Sequence, residues 1–144
     1  MENPSPPRAA LAALFPWVVA VAAFALSAAL FITGLIGIAL LIEGLSSWLH
    51  PGDVAAAWAR TLAGVGLIGG SAGLAALEWL ALGRMARLWG GVARLPFRVL
   101  DPASHAQTRM HRAQKFVAII GILLALICLP FAAGIHAAAH GSWL

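Results

Sequence analysis

Three stretches of this chain, about 16–42, 61–82 and 116–139, run almost without a polar side chain, and the charged residues gather before and between them. Each stretch supplies the roughly 20 apolar residues that a helix rising 1.5 Å per residue needs to cross a hydrocarbon layer about 30 Å thick. Isolated apolar runs of this length can satisfy their own backbone in lipid only as α-helices. The pattern therefore predicts an all-α membrane protein with three transmembrane helices, a single integral membrane domain over 1–144. A basic, partly helical loop, 84–115, joins the second span to the third.

The tryptophans place the spans independently of hydropathy. Trp17 and Trp48 bracket the first run, Trp58 and Trp79 the second, Trp89 lies just past it, and Trp143 follows the third. Indole rings collect at headgroup depth, and the interval from Trp58 to Trp79 corresponds to about 31 Å of helix, close to one hydrocarbon thickness. Trp17 to Trp48 is longer, about 46 Å, so the first helix must tilt, break near Gly44 or project beyond the bilayer. Projection with some tilt is the reading we adopt.

Charge then orients the spans. Arg84, Arg87, Arg94, Arg98, Arg109, Arg112 and Lys115 all lie between the second and third runs, whereas only Arg60 lies between the first two. The positive-inside rule assigns 84–115 and the N-terminus to the cytoplasm and the C-terminus to the far side, the periplasm if the membrane is a bacterial inner membrane. Ala23-Phe24-Ala25 has the small-residue pattern of a signal-peptide cleavage site, but the apolar run continues well past it, so the first helix reads as a retained span.

Composition agrees and narrows the function classes. Hydrophobic residues make up 62% and charged residues 10% of the 144, against about 45–50% and 25% in soluble domains. The net charge of +4 comes from residues beside apolar spans rather than on a soluble face, so the partners it implies are lipid phosphates and not nucleic acid. Arg84, Arg87, Arg94 and Arg98, set among Leu88, Trp89, Val92 and Phe97, are the candidates for that lipid contact, in short amphipathic pieces on the inner leaflet; a solvated connector is the alternative. Asp101-Pro102 reads as a turn, with 103–115 extending the third helix. A single cysteine, Cys128, excludes an intrachain disulfide and a CxxC metal or redox pair.

Four features are candidates for chemistry or assembly. Gly66 with Gly70, and Gly69 with Gly73, are two GxxxG pairs, a surface on which another helix can approach closely. Its partner is either another subunit or this chain's own first helix, through Ser27, Gly34 and Gly37. Glu78, about 7 Å from the inner end of its span, is the one acidic side chain well inside the bilayer. It suits a proton carrier or cation ligand, or else pairs with Arg112 or Lys115 at the start of the third helix or snorkels to the headgroups. Glu43 and Arg60 can meet at the outer surface.

His136 and His140, spaced i and i+4, lie on one helix face, and His50 is expected at the same outer side. The three together suit Zn²⁺ or Cu²⁺, or one of them a haem iron, but contact with headgroups is the plainer reading and no cofactor the expectation. Pro130 removes one backbone hydrogen bond from the third helix. No phosphate loop, nucleophile elbow, catalytic triad or carboxylate pair is present, so nothing supports an enzyme. The first expectation is a small non-catalytic accessory or assembly subunit of a larger membrane complex, such as an energy-transducing one. The alternatives are a small oligomeric transporter or channel using Glu78, and a haem- or metal-binding anchor using the histidines.

Overall fold

The computed structural model describes residues 6–50, 52–88 and 107–140, with side chains over 7–50, 52–85 and 111–139. It contains three helices, α1 (Pro6–Leu49), α2 (Val54–Leu88) and α3 (Gln107–His140). All three are long and apolar enough to cross a membrane, and the protein is an all-α, three-span membrane protein. The helices outrun the apolar stretches at both ends. α1 is continuous through Pro16 and Gly44 for 44 residues, about 66 Å and so twice a hydrocarbon core. The helix does not break at Gly44. α3 likewise continues through Pro130.

The expected outer loop at 49–60 is mostly helix. Only 50–53 separate α1 from α2, and Asp53 caps α2: its Oδ1 accepts from the backbone N–H groups of Ala55 (3.0 Å) and Ala56 (3.3 Å). That carboxylate satisfies donors that the first turn leaves unpaired, at the positive end of the helix dipole. The Trp48 and Trp58 rings meet edge to face across this hairpin, centroids 4.9 Å apart, an arrangement favoured by the ring quadrupoles. At the opposite, basic end lie Arg84, Arg112 and Lys115, all exposed.

α2 is the middle helix of a row. α1 packs on one side of it and α3 on the other, and α1 and α3 do not contact each other among the described residues. Both seams are antiparallel and close because small residues face backbone. On the α1 seam Gly37 lies against Gly64 and Ile68, Gly44 against Thr61, and Gly64 against Leu41; a β-carbon at Gly64 would stand 2.6 Å from Leu41 N. On the α3 seam Gly66 meets Cys128 and Leu129, and Gly73 meets Ala118, Gly121 and Ile122. With no hydrophobic force between helices in lipid, this close van der Waals approach holds them together.

Candidate functional site

The α1 seam of α2 is a stripe of period seven: Ala57, Gly64, Ser71 and Glu78. Facing it in descending order on α1 are Leu41, Gly34 and Ser27, opposite Gly64, Ser71 and Glu78 respectively. Ser71 Oγ donates to the Ile68 carbonyl at 3.0 Å, which keeps that hydroxyl within its own helix where Gly34 leaves room. One step further along the stripe the polar groups do cross the seam. Ser27 Oγ donates to Glu78 Oε2 at 3.0 Å.

This places Glu78 differently from the sequence expectation. Arg112 and Lys115 are on α3, across α2, while the Glu78 carboxylate takes its hydrogen bond from α1. Its second oxygen, Oε1, is buried and has no hydrogen-bond partner among the described residues. An ionised carboxylate accepts at two oxygens, and a buried acceptor left unmet loses its hydration without replacement, at a cost of about 1–3 kcal/mol and more when charged. Beside it an open groove of about 400 Å³ runs along the α1–α2 seam, walled by Val19 and Leu26 of α1 and Leu74, Leu77 and Met85 of α2, with Glu78 among its lining. Leu82 closes the seam beyond, packed on Val19, Ala20 and Ala23. A second open groove, about 340 Å³, lies nearer the hairpin, with Ser27, Gly34 and Ser71 in an otherwise apolar wall. Ser27 and Glu78 are thus a polar link between two apolar clefts.

The remaining candidates fall as follows. Gly66, Gly69, Gly70 and Gly73 all face α3: Gly69 is against Gly121 and Leu124, and a β-carbon at Gly70 would come 3.0 Å from Ala125 Cβ. The expected partner on α1 therefore belongs to the other face of α2, and the face carrying the GxxxG pairs is covered within the chain. Sequence reasoning missed the matching stripe on α3, although the signal was present: Ala118, Gly121, Ala125, Cys128 and Ala132 are small and recur every three or four residues.

Arg60 donates to Ser47 Oγ at 3.4 Å instead of meeting Glu43, while the Glu43 carbonyl accepts from the hydroxyls of Ser46 and Ser47. His50 places Nδ1 3.3 Å from the Ser46 carbonyl. It stands on α1 and His136 on α3, helices with no contact between them among the described residues. No group of three or more His, Cys, Asp or Glu arranged to hold a metal ion occurs among the described residues. The side chains of His140 and Arg87, and Arg94 and Arg98 altogether, lie outside the described residues. Comparison of the chain with protein-family models, curated proteins and solved structures found no match.

Proposed function

We propose that this protein is a small, non-catalytic accessory or assembly subunit of a larger membrane complex, an energy-transducing one in our reading. Its seat is a bacterial inner membrane, with the N-terminus and the basic segment 84–115 in the cytoplasm and the C-terminus in the periplasm. The observation that carries the reading is the row arrangement. Three helices side by side, the outer two out of contact among the described residues, make a slab with two broad faces, and two clefts open outward along its α1–α2 seam. A chain that translocates a solute by itself needs an enclosed path between helices; a slab suits a surface that lies against other subunits and lipid. The exposed Arg84, Arg112 and Lys115 at one end suit contact with lipid phosphates there, each worth about 1 kcal/mol near an anionic surface.

Glu78 favours a second reading, an oligomeric transporter in which several copies enclose a path around that carboxylate. Purification from the native membrane in a mild detergent, followed by native mass measurement, separates the two. Larger subunits in fixed ratio to this chain are the expected result. A homo-oligomer without other subunits would replace the first reading with the second.

A further inference from the structure

We infer that the groove beside Glu78 is the contact surface for a transmembrane helix of a partner subunit, and that this helix brings a basic side chain, lysine or arginine, to the Glu78 carboxylate. The inference rests on the accessory-subunit reading and names the chemistry of the partner. It starts from a buried polar atom in the seam that has no hydrogen-bond partner among the described residues, Glu78 Oε1. Carboxylates inside membranes face other protein or water and pair with cations or donors, because lipid offers them nothing. Within this chain Ser27 supplies one donor, to Oε2, and Arg112 and Lys115 belong to α3, the helix packed on the opposite face of α2. Glu78 itself lines the groove, and a change of its flexible side-chain torsions would turn the buried oxygen toward it, where an arriving donor can engage that oxygen while Ser27 keeps the other.

The groove selects the kind of partner. Its walls are apolar apart from Glu78, and several of them remain largely exposed in the isolated chain, Leu26 at 50%, Leu74 at 49% and Leu77 at 42%. An apolar helix with a single cation matches both the wall and the carboxylate. A soluble segment would leave its backbone unsatisfied at this depth. The single charged contact also sets the depth and rotation of the partner, which apolar packing alone leaves loose.

The test uses the full chain, donor-labelled, in vesicles of zwitterionic phosphatidylcholine, with acceptor-labelled Leu-Ala peptides of about 24 residues. One peptide carries a lysine about a third of the way along, and its controls carry leucine or glutamate there. Energy transfer to the lysine peptide should saturate and exceed that to both controls, and Glu78→Gln should weaken association about tenfold. Glutamine still accepts from Ser27 and carries no charge, so the variant chain should retain its helix content and protease resistance. Equal transfer to all three peptides, or transfer indifferent to Glu78→Gln, overturns the inference. Saturable, Glu78-dependent binding of dodecylammonium without preference among the peptides also overturns it, and assigns the groove to a small lipophilic amine. In native membranes the two readings fail separately. If the unmodified chain co-purifies with larger subunits and Glu78→Gln does so equally, the subunit reading stands and the basic-helix inference falls; if the unmodified chain is solitary, the subunit reading falls first.

Discussion

Replacing Gly73 by alanine adds one carbon where α2 and α3 meet backbone to backbone. That carbon would lie 2.9 Å from Ile122 N, 3.1 Å from the Ala118 carbonyl oxygen and 3.2 Å from Gly121 C. All three are backbone atoms, so no side chain can turn aside. The helices must separate by about half an ångström to restore ordinary contact, which forfeits a quarter or more of each dispersion well about 0.1–0.2 kcal/mol deep. Across a seam of on the order of twenty-five atom pairs the loss is about 1 kcal/mol, the low end of the 1–3 kcal/mol typical of overpacking. Alanine also gains about 0.8–1 kcal/mol of helix propensity over glycine, which obscures the packing cost in a single variant. Gly134→Ala removes the ambiguity. Nothing stands within 4 Å of a β-carbon there, so the propensity gain is shared and the packing cost is not. Reversible unfolding of both variants in mixed SDS micelles should place Gly73→Ala about 1–3 kcal/mol below Gly134→Ala. Equal stabilities would mean that the α2–α3 seam is not closed by glycine contact as described.

Three further outcomes are expected. Asp53→Ala should cost about 1 kcal/mol by removing the α2 cap, with faster amide exchange confined to Ala55 and Ala56; exchange spreading into the middle of α2 would contradict the capping role. In a Cys128→Ala background, a cysteine at Gly52 should react with an impermeant thiol reagent in intact cells and one at Ala113 should not, and the opposite pattern would invert the proposed orientation. Replacing His136 and His140 together with alanine should leave the metal and haem content of the purified protein unchanged; loss of a stoichiometric metal or haem would restore the outer histidines as a ligand site.

The three spans were legible because lipid imposes a length and forbids polar interruption, and 61–82 or 116–139 can meet those terms in only one way. What the apolar runs conceal is where a helix stops. Polar residues outside the hydrocarbon still form helix, so α2 begins at Val54 and α3 at Gln107. The packing partners were harder still. α2 carries small residues on two opposite faces, Gly64 and Ser71 on one and Gly66, Gly69, Gly70 and Gly73 on the other. Spacing reveals that each face admits a neighbour but not which neighbour. Reading the small stripe of α3 beside them would have resolved it. Glu78 was matched to cations by charge, whereas position decides. It lies seven residues after Ser71 and fourteen after Gly64, so it faces whatever they face, and that is α1.

Because α2 alone joins the other two helices, the order of synthesis and the order of contact coincide. The α1–α2 hairpin, with its Asp53 cap, its tryptophan pair and the Ser27–Glu78 bond, contains every contact it needs before α3 exists. The residues from Leu88 to His140 take the ribosome roughly 3–10 s to add, and for that interval the glycine face of α2 meets lipid or a membrane insertase. Docking of α3 is then a separate, later event on a finished template. The two halves of the chain, made as separate polypeptides cut between α2 and α3, should find each other in the membrane through that face alone.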